Sequence, residues 1–216
     1  MSPDTPNLEQ LLDAFPEEFI TLDPQGQDVA IALYRLLAGG APVSHRQLAQ
    51  ACALAETRID ELLVQWLGVH HDEAGEVTGF LGLTVNETAH RLRVDGRDLY
   101  AWCAWDTLFL PGLIGRPAEV SSRCAQSGAE IRLALDPARV VSLTPDTTVL
   151  SFVTPDEQRI REDVIGSFCQ SVLFLASAAL GEQWLARHPG CFLMSVAQAF
   201  ELAQMINRRK FPRLTA

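Results

Sequence analysis

Asp98-Leu99-Tyr100-Ala101-Trp102-Cys103-Ala104-Trp105-Asp106-Thr107-Leu108-Phe109-Leu110-Pro111-Gly112 separates two differently patterned parts of the chain, and its reading decides the fold. Asp98 has the side chain of a helix N-cap, and Leu99 to Phe109 is an apolar run of helical length. Pro111-Gly112 supplies a stop. The stretch therefore predicts a helix from about Leu99 to Phe109.

Upstream, apolar spacing predicts a helix over Asp28 to Leu37, ended by Gly39-Gly40. Ser44 followed by Gln47 is a capping box that opens a second helix through Ala53. Glu56 to Leu67 places Ile59, Leu62, Leu63 and Trp66 on one face of a third. Asp72 to Gly75 is a turn, and Val77 to Leu83 and His90 to Val94 read as short strands joined to the rest through Asp95-Gly96. Three helices and a ribbon describe a winged-helix-like domain over 25–95, preceded by a Pro-punctuated, acidic extension over 1–24 with an apolar turn at Leu8, Leu11, Leu12 and Phe15.

Downstream, Ala118 to Arg123, Ala129 to Leu135, Val140 to Leu143 and Thr148 to Val153 have strand patterning, followed by a polar segment over Pro155 to Asp163. Phe168 to Ala176 has the composition of a buried strand, and Leu180 to His188 and Val196 to Arg209 are helices. The expected class is α+β: the N-terminal winged-helix-like domain, then an α/β domain over 96–216 with mostly antiparallel strands and flanking helices.

The chain has 216 residues, 48% of them hydrophobic and 20% charged, enough to bury a large core and too apolar for a disordered chain. Its net charge is −10 with a pI near 4.9, which argues against nucleic acid and anionic membranes as partners. The second helix of the expected winged unit, Glu56-Thr57-Arg58-Ile59-Asp60-Glu61, offers a polyanion three carboxylates and one arginine, so a DNA-reading role is disfavoured. Lys210 is the sole lysine, in an Arg208-Arg209-Lys210 run that suits a helix C-terminus. No positively charged, apolar leader opens the sequence and no apolar run is long enough to span a bilayer, so the expected location is the cytoplasm. The five cysteines are then expected to be reduced.

Cys103 and Asp106 lie three residues apart and share one face of the expected helix. Cys103 alone reads first as a buried core thiol. Asp106, amid Trp105, Leu108, Phe109 and Leu110, is a poor core residue unless paired; its competing reading is a surface or capping aspartate. Partial burial would raise its pKa toward neutrality and suit it to carry a proton. Cys169, in Ser167-Phe168-Cys169-Gln170, is a second isolated thiol with the same core alternative. No Cys-x-x-Cys or Cys-x-x-x-His spacing supports a zinc site. Two thiolates with a carboxylate make a soft-metal site with a built-in proton carrier, provided the fold joins residues 103 and 169, which spacing does not show. Cys52 reads as core, Cys124 as a turn residue and Cys191 as loop-borne. Trp102 and Trp105 read as packing residues, and His70-His71-Asp72 as a solvated turn rather than a ligand cluster.

Leu99-Tyr100-Ala101-Trp102-Cys103-Ala104-Trp105-Asp106-Thr107-Leu108, then Leu113-Ile114-Gly115-Arg116, Val120-Ser121-Ser122 with Cys124, and Ser167-Phe168-Cys169 together resemble the organomercurial (alkylmercury) lyase family. The resemblance runs from about residue 28 to 210 and is strongest over Arg97 to Gly128 and around Cys169. It implies that Cys103, Asp106 and Cys169 are the catalytic set and the holders of product Hg(II), and that Cys124 is structural. Relatives can carry a cysteine directly after the catalytic one, where this chain has Gln170. The implied reaction is protonolysis of a carbon–mercury bond with organomercurial substrates and no cofactor. Cellular thiols would assist product release, with a mercuric reductase as acceptor. The alternatives are a non-enzymatic carrier of Hg(II) or Cu(I) using the same two thiols, and a winged-helix regulator.

Overall fold

The computed structural model describes residues 6–17 and 22–214; the remainder of the expected N-terminal extension lies outside them. The first helix, α1 (Leu8–Asp13), is closed by a reciprocal capping box between Asn7 and Gln10, and it buries Leu11. Asp23 caps α2 (Pro24–Leu37), whose first residue is a proline already set at a helical φ. Ser44 and Gln47 form the expected box at the start of α3 (His45–Cys52), and α4 (Glu56–Gln65) buries Ile59, Leu62 and Leu63.

Eight strands then form one antiparallel sheet, in the order β1-β2-β3-β5-β4-β6-β7-β8. They are β1 (Val69–His71), β2 (Val77–Phe80), β3 (Leu83–Thr84), β4 (His90–Val94), β5 (Arg97–Ala101), β6 (Ala118–Arg123), β7 (Glu130–Asp136) and β8 (Arg139–Thr144). Asp95 and Gly96 both have positive φ (48° and 79°), the geometry of a tight two-residue hairpin. The 95/96 boundary therefore falls at the turn of the β4–β5 hairpin, within one continuous sheet. A second antiparallel sheet, β10-β9-β11, comprises β9 (Val149–Val153), β10 (Phe174–Leu175) and β11 (Cys191–Ser195). The remaining helices are α5 (Asp106–Ile114), α6 (Glu157–Ser167), α7 (Ala178–Leu185) and α8 (Val196–Lys210). None of the described helices is long and apolar enough to cross a membrane.

The mixture of helices with antiparallel strands is α+β, but several expected elements differ. Leu99 to Ala101 are not helical. They close β5, where Leu99 pairs with Leu92 and Ala101 with Leu83. Asp98 caps nothing and instead faces Arg91 and Arg93 at 3.5 and 3.9 Å. Cross-strand partners on both sides of β5 outweigh a local helical preference. The helix starts at Asp106 and passes through Pro111 and Gly112 to Ile114, ending at Gly115 with φ +76°. The proline forfeits one backbone hydrogen bond, which burial of Leu108, Leu110, Leu113 and Ile114 offsets.

Phe168 to Ala176 is not one strand. The backbone turns at Phe168, makes a 3-10 turn over Cys169–Ser171, and is a strand only at β10. The run is apolar because it is buried, and burial alone does not distinguish strand from turn. The polar stretch after Pro155 is the helix α6, capped by Asp156 and interrupted at Asp163. Cys191 lies in β11 rather than a loop.

Candidate active site

The chain leaves the sheet at the end of β5, makes a turn over Trp102 to Trp105, and enters α5. That turn carries Cys103, and the first residue of α5 is Asp106. Its backbone N–H at Cys103 donates to Asp106 Oδ2 at 2.8 Å, and Thr107 Oγ1 donates to the Ala104 carbonyl at 2.6 Å. Ala104 N–H then donates to the Val172 carbonyl at 3.1 Å, tying this turn to the 3-10 turn that bears Cys169. The β2–β3 connection, Leu81-Gly82, lies against Asp106 from the other side.

These ties bring the two distant thiols together. Sulfurs of Cys103 and Cys169 and a carboxylate oxygen of Asp106 all lie within 4.8 Å of one another, and among the described residues this is the one set of three metal-ligating groups so placed. All three are buried, with 0%, 3% and 5% of Cys103, Cys169 and Asp106 exposed. All five cysteines are free thiols.

Burial dominates the electrostatics. Loss of solvent pushes the Asp106 carboxyl up to about 7, even though hydrogen bonds from the Cys103 thiol and N–H favour its anion. The Cys103 thiol is pushed well above its ordinary value by burial, by its hydrogen bond to Cys169 and by the charge of Asp106. Cys169 accepts that hydrogen bond, which favours its thiolate, but burial and the Asp106 and Asp163 charges still raise it. The resting site is thus two thiols beside a carboxyl group poised to gain or lose a proton near neutral pH.

Aromatic side chains exclude water from it. Trp105 is buried, donates its Nε1–H to the Ala199 carbonyl at 2.9 Å, and meets Phe109, Phe152 and Phe168 edge-on. Phe15, from the N-terminal extension, stacks on Trp105 with ring centroids 5.4 Å apart and meets Phe168 edge-on. Its sequence context gave no sign of that contact, since Phe15 sat in a short apolar turn far from the site. Trp102 is half-buried and stacks on His70, which draws part of the His70-His71-Asp72 segment toward the site wall. His71 instead faces His45, which is paired with Asp60 at 2.6 Å.

The other thiols stand apart. Cys124 is buried and its sulfur accepts N–H groups of Ser127 and Ala176, both at 3.4 Å, so it staples the turn after β6 to the end of β10. Those donors hold its pKa low against the effect of burial. Cys52 and Cys191 are half-buried, and Cys52 packs against the core.

The alkylmercury lyase family model matches residues 83–207. An alkylmercury lyase of Pseudomonas putida is 41% identical over 191 residues, covering 88% of this chain and 85% of that protein. One of Streptomyces lividans is 41% identical over 172 residues, covering 80% of this chain and 78% of its own length. In three dimensions the chain is similar to the mercury-bound form of MerB2, with a TM-score of 0.70 over 94% of this chain and 96% of that one, at 23% identity. A family model over more than half the chain and relatives of this identity over most of it leave one assignment: the chain belongs to the alkylmercury lyase family, a family of enzymes.

Proposed function

We propose that the protein cleaves the carbon–mercury bond of organomercurials by protonolysis, with Cys103, Cys169 and Asp106 as the reacting groups. The observation that carries this reading is the enclosure of two thiols and one carboxyl within 4.8 Å, with the carboxyl at about 7. Hg(II) is soft and takes thiolate ligands, and thiolate donation makes the mercury-bound carbon a better proton acceptor.

The substrate enters as R–Hg–X, where X is a small thiolate. One of the two cysteines forms an S–Hg bond and its proton leaves with X as HX. The second forms another S–Hg bond and gives its proton to the Asp106 carboxylate. Asp106 then delivers that proton to the carbon as the C–Hg bond breaks. The products are R–H, HX and Hg(II) held by Cys103 and Cys169, and the carboxylate is regenerated. The scheme uses no electrons from outside, no resident metal and no cofactor. Release of Hg(II) proceeds by exchange with cellular thiols, then with a mercuric reductase, in the reducing cytoplasm. The N-terminal helices and ribbon, read as a winged-helix-like scaffold, wall the site rather than bind DNA.

The test incubates the reduced protein with phenylmercury or methylmercury and excess small thiol, and measures benzene or methane together with Hg(II). Multiple turnovers with equal hydrocarbon and Hg(II) support protonolysis. Tight mercury capture with no hydrocarbon means a soft-metal carrier.

A further inference from the structure

Leu81 and Gly82 form the two-residue connection between β2 and β3, with Phe80 paired to Leu83. Both have positive φ, +33° at Leu81 and +97° at Gly82. Asparagine, aspartate or glycine normally occupies the first place of such a turn, so Leu81 holds an unfavourable backbone conformation. It does so in the core, only 6% exposed. Three hydrogen bonds maintain it. Leu81 N–H donates to the Gly68 carbonyl at 3.0 Å, the Gly82 carbonyl accepts Trp102 N–H at 2.9 Å, and the Tyr34 hydroxyl of α2 donates to the Leu81 carbonyl at 3.0 Å.

The turn is pressed directly against the reacting carboxyl. A Cβ at Gly82 would lie 2.8 Å from Asp106 Cγ and 2.9 Å from its Oδ1, and 2.8 Å from Phe109 Cζ. The other oxygen, Oδ2, is held by the Cys103 N–H at 2.8 Å. Asp106 thus has one oxygen on a hydrogen-bond donor and the other on a bare Cα, which together restrict both the place and the rotation of the carboxylate plane.

We infer that Gly82 and Tyr34 are positioning residues for Asp106: the missing side chain at Gly82 makes the notch that seats the carboxyl, and the Tyr34 hydroxyl holds that notch in place through Leu81. The inference rests on the proposed role of Asp106 in proton delivery. It also makes α2 part of the reaction apparatus. A proton donor displaced by about 1 Å loses on the order of a hundredfold in rate.

The experiment compares wild type, Gly82→Ala, Gly82→Ala/Phe109→Leu and Tyr34→Phe, with phenylmercury as substrate. It reads benzene release, Hg(II) capture by S–Hg absorbance, and the pH dependence of kcat/KM. For Gly82→Ala the expected result is one Hg(II) captured per chain as in wild type, with kcat down about a hundredfold. Its kcat/KM should also rise at a higher pH than wild type, because a carboxyl pushed off the Cys103 N–H loses a donor that favours its anion. Phe109→Leu removes the clash with the ring but not that with the carboxyl, so the double variant should stay slow. Tyr34→Phe should slow kcat roughly threefold to tenfold with capture intact.

Gly82→Ala turning over within twofold of wild type overturns the inference, as does recovery in the double variant or an equal fall of capture and turnover. Should Gly82→Ala fail to fold, Tyr34→Phe decides: an unchanged rate and pH profile overturn the inference, and a slower kcat with intact capture supports it. A wild-type protein that releases no benzene removes the proposed function, and this inference falls with it.

Discussion

Cys103 donates its backbone N–H to Asp106 Oδ2 at 2.8 Å, closing a turn in which the thiol and the carboxyl of one sequence motif face the same enclosed space. The i,i+3 spacing produces this proximity without the helix that periodicity suggested. The turn before α5 brings the two residues as close as one helical turn would, and the helix begins only at the carboxylate. The same bond favours the anion of Asp106, against a burial that favours its neutral form.

Removing either sulfur should end turnover. Cys103→Ser and Cys169→Ser each leave one soft ligand and no dithiolate product, so benzene release from phenylmercury should fall by about a thousandfold or more. A single-sulfur variant with near-wild-type rates would remove that cysteine from the reaction.

Asp106→Ala should separate capture from cleavage. The two thiols remain, so organomercurial binding persists, while loss of the proton carrier costs about a hundredfold to ten-thousandfold in kcat. In the proposed scheme the carboxyl must be ionised to accept a thiol proton. With its pKa at about 7, kcat/KM should drop as pH falls below that value. A flat profile between pH 5.5 and 8 would assign the proton to another group.

Stability should carry the opposite sign at the same residue. The folded-state pKa of Asp106 lies above its ordinary carboxylate value of 3.8, so the folded chain holds this proton more tightly than the unfolded chain. Its contribution is complete below pH 3.8 and is lost as pH rises through about 7. Asp106→Asn should therefore stabilise the protein at pH 8, by up to about 4 kcal/mol, with the advantage shrinking toward pH 4. Paired denaturant titrations at the two pH values measure this, and a penalty at pH 8 would contradict the burial argument.

His90 should act in the other direction. It is buried in β4 with Nδ1 2.9 Å from Ser122 Oγ, and desolvation lowers its pKa to about 4. The unfolded chain binds this proton first, so stability falls as pH drops from about 6.5 toward 4. The loss at this position is on the order of 3 kcal/mol. His90→Gln should flatten that part of the stability curve in thermal melts across this range. An unaltered curve would mean that His90 is solvated more than its burial indicates.

Local signals were legible where a short segment determines its own geometry. The Ser44–Gln47 capping box, the turn at Asp95-Gly96 and the four strands from Ala118 to Val153 stand close to where their side chains predict them, because caps, turns and alternating patterns act over a few residues. Leu99 to Ala101 misled because its strand character comes from partners in β3 and β4 rather than from its own sequence. The segment from Pro155 hid a helix because its exposed polar face left only Ile160 and Val164 to bury.

The sequence by itself determined the chemistry available: two soft thiols, a carboxylate set in an apolar run, and the order of motifs that resembles one family. Tertiary structure alone decided that Cys169 meets Cys103, since no local periodicity relates a 3-10 turn near residue 170 to a turn at the end of β5. It also decided the notch at Gly82, the contact of Phe15 with Trp105, and the shift of Asp106 to about 7. Each depends on which surfaces are buried against one another, and desolvation is a property of the packed enclosure rather than of any segment that lines it.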